Sequence, residues 1–441
     1  MPARPIPRTC TSLVPLVLTA AGAAGQDGGA DSPTLAEQLA ALERRVAASE
    51  AALAERDLAL EELKGQLRPG RWYDKIQLRG YTQLRGTSLF GRDDDPDLNV
   101  PADRSVSETE TYLIRRGRFI FSGDVHPQVF LYAQLDFAGS VGGSGDTGLQ
   151  SRDLYADLAL DPEREHRFRV GQSKVPFGWV NLQSSQNRLA LERPDALNSA
   201  AEGERDIGVF YYWAPAHIRD LFRKLVRDGL RGSGDYGVFG LGAYSGQGLN
   251  RSDRNGEAHL IARFSYPFEW EGELLELGAQ AYTGRFVPNV AALSGVTPTF
   301  EEEGVLDERY ALTAVLYPQP FGIEAEWNFG RGPELSDDRT RIEADDLEGG
   351  YVLLNYQTRR GETVWTPFVR YSTFSGGRKF GTNAPASEVE ELDLGLEWSP
   401  HPNVELTLMY THTFERTNTR TAPYDTLEGV DRLALQLQFN Y

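Results

Sequence analysis

Basic side chains recur on the polar face of segments whose apolar and polar residues alternate. In the segment 111–124, Arg116 and Arg118 share one face, while Phe119 and Phe121 lie on the other. A guanidinium stays charged at every accessible pH and binds phosphate or carboxylate through parallel hydrogen bonds. Several guanidiniums on the wall of a passage could therefore transfer an anion from one site to the next. The candidate pore-lining and anion-binding residues are Arg79, Arg85, Arg115, Arg116, Arg118, Arg169, Lys174, Arg188, Arg193 and Arg263.

The sequence leaves the role of each of these arginines open. Arg115 falls on the face opposite Arg116, so it would point toward lipid or an interface unless a β-bulge turns it inward. Any arginine on the inner face could instead pair with an Asp or Glu beside it and only hold the wall together.

Motifs of enzyme chemistry are absent from the sequence. The six His residues are scattered, and neither a His-Glu-x-x-His nor a Gly-x-Ser-x-Gly motif occurs. The only cysteine, Cys10, lies in the predicted leader, so the mature chain offers no thiol for catalysis, disulfides or metal binding. We expect no enzyme activity, no cofactor and no metal, while a Ser–His pair assembled across strands stays an alternative.

A period of two runs from Lys75 to Tyr441, which is typical of strands that are apolar on one side and polar on the other. No run of about 18 apolar residues occurs, so we expect no transmembrane helix. Outer-membrane barrels have an even number of antiparallel strands, each with about ten alternating residues. We therefore predict an all-β, antiparallel transmembrane β-barrel over 75–441. Its sixteen predicted strands are 75–88, 111–124, 127–140, 151–160, 166–175, 205–213, 235–246, 256–268, 273–284, 306–318, 320–330, 348–358, 362–375, 389–399, 402–415 and 430–441.

The connections between the predicted strands alternate in length, as do the short periplasmic turns and long outer loops of such barrels. Short connections contain Pro or Gly, as at 124–127 and 399–402. The connection 214–234 breaks this rule, and its basic amphipathic stretch 218–226 predicts a short helix. The long, polar connections are 89–110, 139–150, 176–204, 285–305, 331–347, 376–388 and 416–429.

The N-terminal part of the chain has a different composition. Residues 1–25 resemble a signal peptide, with basic residues, an apolar run and then small residues. A linker follows at 26–33. The segment 34–68 carries a heptad repeat, which predicts an α-helical coiled coil in the periplasm; a single amphipathic helix on the barrel's mouth is the alternative. The principal heptad positions are Leu39, Val46, Leu53, Leu60 and Leu67.

Acidic residues dominate the charge balance of the chain. The net charge of −19 argues against nucleic acid as a partner. Runs of acidic residues fall in the predicted outer loops, where they are either solvated charge or ligands for divalent cations that bridge to lipopolysaccharide. The spacing of Asp93, Asp95 and Asp97 resembles a calcium loop but lacks the rest of that motif.

Two stretches of the chain resemble the phosphate-selective porin O and P family. The first comprises 112–119 (YLIRRGRF), Gly123 and 129–138 (VFLYAQLDFA). The second comprises 169–178 (RVGQSKVPFG) and continues through Ser185 to Arg193. The resemblance extends over about 75–441.

This resemblance implies a sixteen-stranded, trimeric outer-membrane porin with an arginine-lined, anion-selective pore. By its order along the chain, 176–204 corresponds to the third outer loop, which folds into the lumen of such porins. Many relatives also carry an N-terminal heptad segment. The residues that match the family's Arg-rich second strand and its constriction region are Arg115, Arg116, Arg118, Lys174, Arg188 and Arg193.

We therefore predict an outer-membrane porin for passive diffusion of small hydrophilic solutes, with anions such as phosphate or polyphosphate favoured in an arginine-lined constriction. The expected partners are small anionic solutes, outer-membrane lipid and lipopolysaccharide, and two further copies in a homotrimer. Contact with the cell wall through the coiled coil is also expected. The alternative is a structural barrel of little conductance whose coiled coil tethers the outer membrane to the cell wall.

Overall fold

A computed structural model of the protein describes seven stretches of the chain. The predicted signal peptide, the linker and the Asp93–Asp97 run lie outside them. The helix Leu35–Gln66 and the residues from Trp72 onward belong to separate compact units. No helix in the described part is long and apolar enough to cross a membrane. The described residues are 35–66, 72–90, 105–106, 111–138, 148–200, 205–418 and 425–441.

Helix α1 (Leu35–Gln66) forms from residues with high helix propensity, chiefly Ala, Leu, Glu and Arg. Its range agrees with the helical part of the prediction for 34–68. The heptad residues Leu42, Val46 and Leu53 are all more than half exposed. These three heptad positions are therefore exposed in the single chain, and a coiled-coil partner stays a prediction.

The rest of the chain folds into one closed antiparallel barrel. Seventeen stretches of strand form a single sheet, and β12 and β13 are separated only by Gln357 and both pair with β14, so the barrel has sixteen strands. The last strand pairs with the first and closes the ring. The strands are β1 (Gln77–Phe90), β2 (Thr111–His126), β3 (Val129–Asp136), β4 (Gln150–Ala159), β5 (His166–Lys174), β6 (Arg205–Trp213), β7 (Phe239–Tyr244), β8 (His259–Trp270), β9 (Glu273–Phe286), β10 (Val305–Leu316), β11 (Phe321–Leu335), β12 (Ile342–Tyr356), β13 (Thr358–Arg360), β14 (Thr363–Gly377), β15 (Ala386–His401), β16 (Val404–Asn418) and β17 (Asp425–Asn440).

The two faces of the strands follow the predicted alternation. On β1, Leu78 points outward and is 60% exposed, whereas Tyr81 and Arg85 point inward and are buried. Apolar side chains on the outside and polar ones inside are the arrangement that a bilayer requires, because lipid offers no hydrogen bonds. The sixteen predicted strands are confirmed, and the connections of two to four residues all lie at one end of the barrel.

One predicted long connection is wrong. Most of 331–347 belongs to β11 and β12, and only 336–341 forms the turn between them. Leu335, Ile342 and Leu347 are buried while the acidic residues between them face solvent. The many acidic side chains on the outer face give the sequence of this strand pair the composition of a loop, although its inner face is apolar.

The long connection at the short-turn end contains the predicted helix, α4 (Ala216–Arg227). Its first N–H donates to the Glu165 carboxylate at 2.7 Å, which satisfies a helix-end donor. Ile218 and Phe222 are buried against Val238 and the barrel wall. The amphipathic pattern of the sequence thus places the apolar face of the helix on the barrel, and its basic residues lie on the other faces.

The described part of the third long connection, 175–200, folds into the lumen and is called the inserted loop. It contains the short helices α2 (Trp179–Leu182) and α3 (Asp195–Ala200). Glu326 on β11 accepts hydrogen bonds from the N–H groups of Trp179 (2.7 Å) and Val180 (3.3 Å). Aromatic side chains complete the docking, since Phe177 packs on Tyr282 with ring centroids 4.9 Å apart. The inserted loop is therefore closely packed against this part of the wall.

The closure of the barrel depends on close approach at Gly80. Gly80 and Tyr441 exchange backbone hydrogen bonds of 2.7 and 3.0 Å, and a Cβ at Gly80 would lie 2.2 Å from the Arg118 carbonyl oxygen and 2.5 Å from the Tyr441 ring. We expect Gly80→Val to destabilise the barrel by about 1–3 kcal/mol through overpacking. The midpoint of urea unfolding measures this loss. Gly148→Val is the control because nothing lies within 4 Å of its Cβ position, and equal midpoints for the two variants would contradict the closure argument.

The carboxylate of Glu326 should hold the inserted loop in the lumen. In a Cys10→Ser background, Ala190→Cys places a thiol at a buried position of this loop. We expect Glu326→Ala to raise the rate of maleimide labelling at this thiol at least about tenfold, because losing a hydrogen bond to a charged group costs about 1.5–3 kcal/mol.

The matched control for this experiment is Glu324→Ala. Glu324 is buried on the same face two residues away, and no hydrogen bond joins it to the described part of the inserted loop. Equal labelling in both variants would show that Glu326 does not anchor the loop.

Candidate functional site

The carboxylate of Glu192 on the inserted loop meets three guanidiniums from the barrel wall. Its Oε1 lies 2.9 Å from Arg85 Nη1 and 2.8 Å from Arg115 Nε. Its Oε2 lies 2.9 Å from Arg116 Nη2. We call these four residues the arginine cluster, and all four side chains are buried. Three positive charges and one negative charge give the cluster a net positive charge.

The position of Arg115 in this cluster is due to a β-bulge. The register between β1 and β2 shifts where Gln83 pairs with Arg116 and Leu84 with Ile114, so Arg115 has no opposite residue. A bulge adds one residue to a strand and turns its side chain. Arg115 therefore points inward beside Arg116, as the sequence allowed only with such a bulge.

Electrostatics keep Glu192 charged in this surrounding. Burial alone would raise the pKa of the Glu192 carboxyl, but Arg115, Arg116 and Arg85 outweigh burial and hold that pKa well below its usual range. The inserted loop thus carries a permanent anion into a group of guanidiniums. A free phosphate or carboxylate would bind the same groups in the same way.

Arg118 lies one step further along the inner face of β2. Its Nε is 3.0 Å from Asp136 Oδ2, and its Nη1 donates to Tyr81 Oη at 2.6 Å and to Ser185 Oγ at 2.9 Å. The Ser185 hydroxyl comes from the inserted loop, so the loop and the wall share this site.

Three predicted residues of the constriction hold the fold of the inserted loop. Lys174 Nζ donates to three backbone carbonyl groups in 181–183, at 2.7 to 3.0 Å. Arg188 donates to the carbonyl groups of Val180 and Gln183, each at 3.3 Å. Arg193 Nη1 lies 3.5 Å from Asn181 Oδ1.

The remaining predicted residues lie away from the cluster. Arg79 is on the inward face of β1 but exposed, close to the short-turn end. Arg169 binds Asp157 through both guanidinium branches, at 2.7 and 2.9 Å. The structure therefore brings together four of the ten predicted residues, Arg85, Arg115, Arg116 and Arg118, on neighbouring parts of β1 and β2.

Arg263 on β8 is buried without hydrogen bonds. Its closest carboxylate oxygen, on Glu276, lies 3.6 Å from Nη2, and none of its guanidinium nitrogens donates to a described residue. Gln280 and Thr313 on the next two strands also have buried polar side-chain atoms without partners in the described chain. Unpaired buried donors of this kind are satisfied by water or by a solute.

Sequence reasoning missed the acidic partners of these arginines. Glu192 lies in a stretch that carries the family resemblance, but nothing in its local pattern marks it as the partner of a cluster 76 residues away. The strand acids could have been found by parity, because Asp136 and Asp157 fall on the inward faces of β3 and β4. The other inward arginine–acid pairs include Arg205–Asp153, Arg309–Asp307 and Arg370–Asp393.

Solved structures with the same architecture are outer-membrane proteins. OmpF of Salmonella typhi, in complex with daunomycin, is 14% identical over 84% of this chain and 99% of its own, with a TM-score of 0.50. The channel DcaP of Acinetobacter baumannii is 14% identical over 83% and 97%, with a TM-score of 0.49. An anion-selective porin of Comamonas acidovorans is 12% identical over 83% and 99%, with a TM-score of 0.47. These similarities concern the fold, and no curated protein matches the sequence.

The family model for phosphate-selective porin O and P matches residues 92–441, which is most of the chain and nearly the whole barrel. The sequence resemblance noted above is therefore confirmed. Together with the closed sixteen-stranded barrel, this match indicates an outer-membrane channel rather than an enzyme. The chain belongs to the phosphate-selective porin O and P family of outer-membrane β-barrel proteins.

Proposed function

We propose that the protein is a passive diffusion channel for small hydrophilic solutes that favours anions such as phosphate or polyphosphate. The observation that supports this most directly is the arginine cluster, in which three wall guanidiniums surround a loop carboxylate inside the barrel. Groups that bind a carboxylate in this way also bind phosphate.

In this mechanism a permeating anion competes with Glu192 for the cluster. The anion exchanges part of its hydration shell for guanidinium N–H groups, which lowers the barrier to entering the narrow part of the lumen. Because the inserted loop is closely packed, passage requires this part of the loop to shift as the anion replaces the carboxylate. The neighbouring site of Arg118 and Ser185 would receive the anion next.

Arg263 offers a further position along the proposed path. Its buried and unpartnered N–H groups, together with the free polar atoms of Gln280 and Thr313, form a polar site on the opposite part of the wall. The other predicted residues keep supporting roles in this proposal. Arg79 and Arg169 lie toward the short-turn end of the path, and Lys174, Arg188 and Arg193 maintain the loop.

Two substitutions in the cluster change its charge in opposite directions and test this proposal. We expect Glu192→Gln to raise the permeability ratio of anion to cation and Arg116→Gln to lower it, each by about two- to tenfold. A unit charge at about 4 Å contributes about 1 kcal/mol even in bulk water. Reversal potentials of single channels in a potassium chloride gradient measure the ratio.

Arg331→Gln is the matched control, because Arg331 is an exposed arginine at the outer end of β11. It should leave the ratio unchanged. A shift of the same sign in both cluster variants, or unchanged selectivity in both, would refute the role of the cluster. A wild-type barrel that conducts no current would favour the structural alternative.

The exposed heptad positions of α1 support a second, separable role. We propose that α1 forms a periplasmic coiled coil with two other copies in a homotrimer and that this coiled coil contacts the cell wall. Leu42, Val46 and Leu53 are exposed in the single chain, and packing them in a heptad seam would remove apolar surface from water. The N-terminal signal peptide would deliver the chain to the periplasm, and the outer acidic residues would bind lipopolysaccharide through divalent cations.

Deletion of residues 34–67 tests the separation of these roles. We expect the single-channel current to stay the same, because the barrel forms its own compact unit. Sedimentation of the barrel with purified peptidoglycan should be lost. Retained sedimentation would refute the tether, and a changed current would show that the helix takes part in conduction.

A further inference from the structure

A second charged site lies at the short-turn end of the barrel, below helix α4. It is a cavity of about 330 Å³ between the helix and the inner face of the strands β2 to β5. This volume is at the lower end of the range for small-molecule sites, about 300–1,000 Å³. Its cationic lining residues are Arg164, Arg167, Arg169, Arg219 and Arg223. We call it the α4 cavity.

The α4 cavity carries more positive than negative charge. Asp235 is shared by Arg167 at 2.6 Å and Arg219 at 2.8 Å. Arg164 binds Asp124 at 2.6 Å, and Arg169 binds Asp157. Five guanidiniums and three carboxylates therefore line the cavity, an excess of two positive charges among the lining residues, while Arg223 is also paired with Asp220 on the helix surface outside the lining.

The neighbouring guanidiniums also determine the direction in which the pKa of Asp235 shifts. Burial by itself would raise the pKa of this carboxyl, but Arg167 and Arg219 lower that pKa to about 2. Asp235 therefore stays charged and fixes the two guanidiniums in place.

Arg167, which lines the cavity, also has an unsatisfied donor. The residue is 3% exposed and its Nη2 donates to Asp235, while its Nη1 is buried without a hydrogen-bond partner among the described residues. A buried donor without an acceptor costs about 1–3 kcal/mol, which an entering acceptor oxygen would recover. The other side of the cavity offers apolar surface at Phe130 and Ala159.

We propose that the α4 cavity binds small organic phosphates. The dianionic phosphoryl group would balance the two excess charges and accept from Arg167 and Arg223. The organic part would lie on Phe130. This site is separate from the arginine cluster, because its residues come from the short-turn ends of the strands and from α4, and a barrel without anion selectivity could still contain it.

Titration calorimetry on the full chain in detergent at low salt tests the site, with glucose 6-phosphate as the probe and glucose as the uncharged control. We expect glucose 6-phosphate to bind and glucose not to bind. Arg167→Gln should weaken binding about tenfold or more, because a charge-assisted hydrogen bond is lost. Arg223→Gln should weaken it about two- to fivefold. Arg223 is largely exposed and its ion pair with Asp220 lies on the surface of the helix, so this variant should fold even if Arg167→Gln does not.

The control variants separate this site from its surroundings. Arg227→Gln removes an exposed charge from the same helix outside the cavity lining and should leave the affinity unchanged. Arg331→Gln, at the opposite end of the barrel, should also leave it unchanged. Binding that is lost in Arg116→Gln but kept in Arg223→Gln would move the ligand to the arginine cluster and overturn the proposal. The absence of wild-type binding would also overturn the proposal. So would inorganic phosphate that binds as tightly as glucose 6-phosphate, because the organic part of the ligand would then contribute nothing to the affinity.

Discussion

Closure of the strand ladder is the constraint on which the rest of this structure depends. Lipid cannot satisfy backbone N–H and C=O groups, so every spanning strand needs a neighbour on both sides, and β17 must reach β1. Once the ring is closed, alternate side chains of each strand must face either the lipid or the lumen. Arginines that would be costly against lipid are collected inside, where acids from other strands of the wall and from the inserted loop surround them.

Concentrating charge inside the barrel explains both the ion pairs that join its strands and its candidate chemistry. Three inward arginines, Arg118, Arg169 and Arg370, face one carboxylate on the adjacent strand, and such a pair holds two strands in register. The arginine cluster differs because three guanidiniums converge on Glu192, which the chain supplies from the inserted loop rather than from the wall. An ion pair within one strand pair is fixed by the ladder, whereas a partner on a loop can be replaced without opening the barrel.

The sequence predicts the secondary-structure elements that follow a local pattern. It does not predict features that depend on contacts between residues far apart in the chain. Strand positions follow from the period of two, and the helix α4 follows from its amphipathic pattern, because both signals are local. The inward turn of Arg115 requires a bulge whose position depends on the register with β1, so the sequence could state the condition but not the outcome. The pairing of Glu192 depends on how the inserted loop docks, which Glu326 determines from 134 residues further along the chain. The segment 343–346 is predicted as part of a loop because of its acidic residues. It belongs to a strand whose other face is apolar.

The connection that breaks the length rule gives the strongest reason to look beyond the constriction. A barrel needs only a few residues between β6 and β7, yet this chain places a helix there whose one face is buried on the wall and whose other face is basic. A helix without basic residues would bury Ile218 and Phe222 equally well. Arg219 instead reaches Asp235 and two backbone carbonyl groups, which fixes a guanidinium beside Arg167 over a cavity. Fixing like charges side by side costs free energy, and it is retained at sites where an anion offsets that cost. If the α4 cavity binds anions as we propose, the position of α4 at one mouth of the barrel makes the helix part of that binding site rather than a passive connection.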